Sequence, residues 1–384
     1  MNRCLLSGLT ATLHLYIGWR LFPSMTAWMP AAWMLFVVLA LSFVLMLFGL
    51  QFRRPATRHR DLLTWAGMTA LGLFSTLLVL TLLRDAMLLI AEALRWLLPP
   101  AAVSFGPPSM ATISALMVPS AALMITAIGM WNARRTASVV QVDVAIADLP
   151  EALRGFTIAQ VSDIHVGPTI KAPYVDNIVN VVNRLNADMV AITGDLVDGS
   201  VAELSHHVSP LARLSSRHGT FFVTGNHEYY AGAHSWITEL RRLGLQVLIN
   251  EHVVLRHNNA ALVIAGVTDV SAHHFDPAHR SSPQNAIADA PEHAAIRVLL
   301  AHQPRSAFEA ANAGFHLQLS GHTHGGQFWP WNLFVRLQQP FTAGLHRLND
   351  LWVYVSRGTG YWGPPKRFGA PSEITHLRLV RAAD

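Results

Sequence analysis

Five short stretches of this chain concentrate side chains that bind cations or move protons. They are Asp163-Ile164-His165, Gly194-Asp195-Leu196-Val197-Asp198, Gly225-Asn226-His227-Glu228, His302, and Gly321-His322-Thr323-His324-Gly325-Gly326. Their donors are imidazole, carboxylate and carboxamide. With Cys4 the only cysteine, thiolate clusters and internal disulfides are excluded. Mixed nitrogen and oxygen donors suit Mn, Fe or Zn. Histidine is concentrated in the same region, 18 of the 20 lying after residue 135. A single histidine is more often a surface or satisfied core residue than a ligand, so the joint arrangement carries the inference. His206-His207 and His273-His274 have no such context and read as solvated loop residues.

The elements that must position these donors are the apolar runs in front of them. Residues 157–162, 189–193, 220–224, 262–267, 298–301, 317–320, 352–356 and 374–380 read as strands. Between them, 173–185 places Val175, Ile178, Val179, Val182 and Leu185 on one helical face and opens with proline. Residues 234–243 and 306–313 read as shorter helices. Alternating elements of this kind argue for a layered α/β domain. Open α/β sheets place their ligand crevice at the carboxyl ends of the strands, where the five motifs lie. Flanking glycines let the backbone turn sharply there.

The ordered set D-x-H, G-D-x-x-D, G-N-H-E, H and G-H-T-H resembles the calcineurin-like metallophosphoesterase superfamily, over roughly residues 139–384. Gly325-Gly326-Gln327, Arg357-Gly358, Pro364-Pro365-Lys366-Arg367 and Pro371-Ser372-Glu373-Ile374 resemble its bacterial membrane-anchored phosphodiesterase branch, which includes enzymes acting on UDP-diacylglucosamine. The resemblance implies an α/β/β/α sandwich holding two divalent metal ions. One ion would take Asp163, His165 and His324, the other Asn226, His302 and His322, with Asp195 shared. A metal-bridging hydroxide would then attack a phosphomonoester, phosphodiester or pyrophosphate. His227, beside the ligand Asn226, would be the general acid. Asp198 and Glu228 would orient ligands or hold a histidine tautomer. Arg357 and Lys366-Arg367 have two readings, substrate phosphate contact or capping of a structural turn. Trp329, Trp331, Phe334 and Val335 have three readings, core packing, a substrate groove or contact with the membrane surface, of which core packing is the simplest expectation.

Composition places the rest of the chain in a different solvent. Of 384 residues, 52% are hydrophobic and 13% charged, against about 25% charged in a soluble domain. Neither a disordered chain nor an end-to-end soluble enzyme has that balance. Residues 31–50, 62–83 and 110–131 are apolar runs of the ~20 residues that cross a bilayer. Residues 5–22, diluted by His14, read as an uncleaved first span, the alternative being a signal peptide with Arg3 as its n-region. Residues 86–98, with Glu92 and Arg95, read as an interfacial extension of the preceding helix. The expected organisation is therefore an α-helical membrane anchor over 1–135 with about four helices, followed by the metallophosphoesterase domain over 139–384.

Arg53, Arg54, Arg58 and Arg60 between two runs, and Arg134 and Arg135 after the last, point to the cytoplasmic side. A multi-pass inner-membrane protein with its catalytic domain facing the cytoplasm follows. Residues 1–135 carry ten arginines against three acids, whereas the remainder carries 18 basic and 20 acidic residues. The high isoelectric point thus belongs to the anchor, and no nucleic-acid partner is expected. A tethered site reaches phosphorylated substrates at the bilayer, such as a phospholipid or nucleotide-linked lipid. The rival reading is a non-catalytic membrane sensor or scaffold for a phosphorylated ligand, which the complete donor set disfavours.

Overall fold

A computed structural model describes residues 3–49, 58–97 and 107–382, so Arg53 and Arg54 lie outside the described residues. The chain forms two units, one of Met1–Trp131 with Gly363–Phe368, the other of Asn132–Trp362 with Gly369–Asp384.

The first unit is helical: α1 (Arg3–Leu21), α2 (Met29–Gly49), α3 (Arg58–Leu97) and α4 (Pro107–Arg134). Helices satisfy their own backbone polar groups, which apolar surroundings demand. Among the described residues, three helical stretches are long and apolar enough to cross a membrane: Cys4–Phe48, His59–Leu97 and Met110–Arg134. A tight turn at Phe22–Trp28 divides the first into α1 and α2. Residues 86–97 simply continue α3. Ile17, Leu21, Leu35, Leu39, Phe74, Leu77 and Ala122 form a core, while Trp33, Phe36, Val37 and Met117 stay exposed.

Several polar groups inside this unit are matched to partners, which offsets the cost of burying them. Asp85 accepts from Tyr16 Oη at 2.5 Å and Arg20 Nε at 2.8 Å. Arg84 donates to Ser24 and Ser114. Lys366, carried by the segment Gly363–Phe368, donates from Nζ to Gly72 O at 3.2 Å, to Thr126 Oγ1 at 3.1 Å and to Thr76 Oγ1. Arg367 N donates to Gly129 O. Of the two readings for Lys366 and Arg367, this geometry is structural.

The second unit contains β1 (Ser138–Ile146), β2 (Thr157–Val161), α5 (Ala172–Arg184), β3 (Met189–Ile192), α6 (Val201–Val208), β4 (Thr220–Phe222), α7 (Asn226–Ala231) and α8 (Ala233–Arg242). After them come β5 (Gln246–Val247), β6 (Glu251–His257), β7 (Ala260–Gly266), α9 (Pro283–Ala286), β8 (Ile296–Leu300), α10 (Ala307–Asn312), β9 (Leu317–Ser320), β10 (Gly344–Leu348), β11 (Leu351–Val355) and β12 (Glu373–Arg381). Two six-stranded sheets result, ordered β1-β12-β2-β3-β4-β5 and β10-β11-β9-β8-β7-β6. The first is parallel except between β12 and β2. In the second, β11, β9, β8 and β7 run parallel with an antiparallel strand at each edge.

Side-chain alternation along β3 shows how the layers form. Met189 and Ala191 enter the core between the sheets with Phe221, Leu262, Val298 and Leu317. Val190 and Ile192 face the opposite way, toward Val175, Val179, Leu204 and Trp236 of the covering helices. On the outer face of the second sheet, Ala265, Leu299 and Val353 meet Ala307 and Ala310 of α10. The outcome is an α/β/β/α sandwich.

Three expectations need correction. His206 and His207 end helix α6, and His273 and His274 sit in a one-turn helix rather than in open loop. Strands β1, β5, β6 and β10 and helices α6, α7 and α9 were not foreseen. Trp331 and Phe334 are exposed rather than packed in the core. Trp331 opens the short turn Trp331–Leu333 and Phe334 links it to the turn Val335–Leu337, and both turns are too brief to bury a continuous face.

Candidate metal centre

The site is assembled from the loops that leave β2, β3, β4, β8 and β9. Asp163 and His165 follow β2, Asp195 and Asp198 follow β3, Asn226 opens α7 just beyond β4, His302 follows β8, and His322 and His324 follow β9. Main-chain bonds tie these loops together. Asp163 N donates to Gly194 O, His165 N to Asp195 O, and Gly321 N to His302 O. Asp163 receives the His322 amide on both carboxylate oxygens at 3.0 Å.

Backbone conformation marks the same residues. Asp163, His165, Asp195, His322 and His324 all have positive φ, between 50° and 69°. Among the described residues the other non-glycine cases are Asn, Asp and Gln327, the last lying three positions after His324. Left-handed histidine is uncommon, costs free energy, and concentrates at functional sites. Gly321 permits the tightest approach: a Cβ there would stand 2.0 Å from Ser162 Oγ and 2.1 Å from Asp163 Oδ2.

Two clusters of donors result, joined by Asp195. Asp163, His165 and His324 hold ligand atoms within 4.8 Å of one another, and so do Asp195, His302 and His322. His165 Nε2 lies 3.1 Å from His324 Nε2, and His302 Nε2 lies 3.1 Å from His322 Nδ1. Asp195 Oδ2 is 3.1 Å from His302 Nε2 and 3.9 Å from His165 Nε2, facing both clusters. Donors about 2.1 Å from a cation are themselves about 3–3.4 Å apart, which the three 3.1 Å separations match. Asn226 contributes a buried Oδ1 without a hydrogen-bond partner in the protein. An acceptor left in that state is costly unless something binds it, so the donor set fits divalent cations. Consecutive turns of Gly321–His324 send His322 and His324 to different clusters.

Outer contacts fix the imidazole tautomers. His302 Nδ1 meets Thr193 O at 2.8 Å, and His165 Nδ1 meets Asp198 Oδ1 at 3.0 Å. Each leaves Nε2 directed inward, the arrangement that metal-binding histidines use. Asp198 Oδ1 also meets His227 Nδ1 at 2.6 Å, while His227 Nε2 points into the site, 4.0 Å from Asp195 Oδ2. Glu228 is fully buried and accepts from the amides of Gly225, Asp195 and Leu196 at 2.6, 3.0 and 2.8 Å. It thereby locks the β3 and β4 loops in register.

Charge in this pocket is concentrated. Burial opposes ionisation of Asp195, but His302, His227 and His165 hold its carboxyl well below the usual range. Burial acts the same way on Asp198, and the His165 and His227 contacts bring it to about 2. Burial and the Asp195 charge push Glu228 up to about 7. For His227, burial favours the neutral form, yet Asp198 and Asp195 raise it to about 9. Bound cations would replace these protons as the partners of the carboxylates.

Several neighbours carried no motif. Trp362 and Tyr230 stand 5.7 and 5.3 Å from the His227 ring and form an exposed aromatic rim. Trp362 is held by Gln327 through two 2.8 Å bonds to its main chain. Tyr230 was within reach of sequence reasoning, three residues past His227 on what proves to be α7. Arg357 pairs with buried Glu373 at 2.8 Å, a structural contact.

Residues 156–326 match the family model of the calcineurin-like phosphoesterases. A protein of Danio rerio described as a transmembrane protein with metallophosphoesterase domain is 39% identical over 273 residues, covering 68% of this chain and 62% of the relative. The protein of Bos taurus with the same description is 40% identical over 281 residues, covering 69% and 63%. An uncharacterized metallophosphoesterase of Aquifex aeolicus is 34% identical over 224 residues, covering 58% of this chain and 84% of the relative. This chain thus spans less than two thirds of the length of the two vertebrate relatives.

Proposed function

The chain belongs to the calcineurin-like metallophosphoesterase family, and on that premise we propose that it is a membrane-anchored hydrolase of phosphoesters working with two divalent metals. The observation that supports this reading is the convergence of Asp163, His165 and His324, and of Asp195, His302 and His322, on two donor clusters, with the unpartnered Asn226 Oδ1 as a further donor. Such a pair of cations, Mn, Fe or Zn by donor type, activates water and clamps phosphoryl oxygens. The chain's own groups do the rest. Asp195 serves both clusters, and Asp198 holds His227 so that Nε2 faces the site and delivers a proton to the leaving oxygen.

Residues 1–135 serve as the anchor and 139–384 as the hydrolase domain in this reading. The apolar helices and the motifs around residues 357 and 364–374 support a place in the membrane-anchored phosphodiesterase branch. The flanking arginines support an inner-membrane protein with a cytoplasmic site. The exposed Trp362 and Tyr230 beside His227 suit a substrate with an apolar or aromatic group next to its phosphate, including a phospholipid or nucleotide-linked lipid.

The test is a hydrolysis panel with the full chain in detergent and added Mn. Aryl phosphomonoester, aryl phosphodiester and lipid-linked pyrophosphate are compared with and without chelator. Chelator-sensitive turnover of a diester or lipid-linked substrate is expected. No turnover of any of the three by metal-loaded protein would favour a sensor that only binds a phosphorylated ligand.

A further inference from the structure

A second group of metal-ligating side chains lies outside the paired clusters. His234, near the start of α8, faces Asp276 and His279 of the segment between β7 and α9. Asp276 Oδ2 is 3.0 Å from His234 Nε2 and 3.9 Å from His279 Nε2, and one donor atom from each residue lies within 4.8 Å of the other two. Zinc with bonds of about 2.0–2.1 Å in a tetrahedral site sets neighbouring donors about 3.4 Å apart. The two measured distances bracket that value.

Asp276 lies within ion-pair distance of both imidazoles, closely for His234 and at the outer limit for His279. The separation between His279 Nε2 and Asp276 is too long for a hydrogen bond, though both atoms point at the same space. The far side of His279 is already fastened: Nδ1 meets Tyr229 Oη at 2.8 Å, and its main-chain carbonyl accepts from Thr268 Oγ1 at 2.8 Å. In the tautomer whose Nδ1–H donates to the tyrosine oxygen, Nε2 carries a lone pair facing the Asp276 carboxylate, and that is the form a bound cation selects. A hydrogen bond on the outer nitrogen is also what orients metal-binding histidines.

We propose that His234, Asp276 and His279 bind a third divalent ion, zinc by its donor set of two imidazoles and a carboxylate. Three protein donors leave one position to solvent, and the side chain of His234 is 72% exposed, so the ion enters from bulk water. Its effect is to fasten the segment around 268–282 onto α7 and α8. Tyr229 belongs to α7, which begins with Asn226 and His227, and its ring packs 5.8 Å from Phe275 of the same segment. The ion is thus a brace behind the helix that presents His227.

The experiment is equilibrium dialysis of the full chain in detergent against micromolar zinc, with bound zinc counted by mass spectrometry. Wild type should hold one equivalent more than His234→Ala and one more than Asp276→Asn. His234 is solvent-exposed, so its variant should match wild type in circular dichroism and in unfolding temperature measured with chelator. The difference of one equivalent should persist when Asp195→Asn is added to both proteins, which separates this site from the buried pair. Equal zinc content in wild type and His234→Ala overturns the proposal, whatever the total proves to be.

Discussion

At the residue scale, each side chain around the site does a different job, and substitutions should separate them. The role proposed for His227 is proton transfer rather than cation binding, although its ring nitrogen lies within 4.8 Å of donor atoms of His165 and Asp195. His227→Ala should keep its bound metal and lose ~10²–10⁴-fold in kcat. The deficit should shrink for leaving groups as acidic as nitrophenolate, which depart without a proton. Loss of metal from that variant, or equal damage to acidic and basic leaving groups, would contradict the assignment. Glu228 acts through the backbone, since its two oxygens receive the amides of Gly225, Asp195 and Leu196. Glu228→Gln replaces one acceptor with an NH₂ group facing N–H donors, leaving at least one buried group unsatisfied at about 1–3 kcal/mol. Its unfolding temperature in chelator should fall, and an unchanged value would remove Glu228 from this role.

At the scale of elements, the strand-to-loop transitions do the positioning, and close backbone contact is their means. Gly321→Ala would drive a methyl group into Ser162 and Asp163. We expect metal affinity to drop at least about tenfold, while the two sheets, whose strands β2 and β9 end just before the clash, keep their circular dichroism. Retained affinity would mean that the loop yields without moving Asp163. The five motif-bearing strands were legible in the sequence because an apolar run and a chemical motif coincide at each. β1 had a signal that went unread: Val142, Val144 and Ile146 alternate with Gln141, Asp143 and Ala145, and pair in register with β12. Helix α7 was hidden because its first residues, Asn226-His227-Glu228, read as a loop motif. Tertiary placement of Trp362 at the rim had no local signal, since Gln327 fixes it from 35 positions away.

At the scale of the whole molecule, pH reports how the sandwich treats its histidines. Burial holds His218, His316 and His376 below their ordinary value of 6.5. The unfolded chain therefore binds protons there before the folded one does. Stability contributed by these groups is complete above 6.5 and is lost as pH falls through the folded values. Ligand histidines act in the same sense, because they must shed protons to bind a cation. The unfolding temperature of the metal-loaded chain should decline as pH falls below 6.5, where the opposing contribution of His227, raised to about 9, is already complete. A flat or rising profile would show that these imidazoles are not desolvated as the packing requires.

The division of labour proposed for the molecule is a set of apolar helices that holds the chain at a membrane and a sandwich that performs hydrolysis with two cations. The most direct test is turnover of an aryl phosphodiester measured against equivalents of Mn bound, using His234→Ala so that only the buried pair is counted. Activity should stay low at the first equivalent, rise with the second, and be absent in the added Asp195→Asn variant at any metal concentration. Full activity with one equivalent or none, or no turnover with two bound, would contradict the dinuclear account.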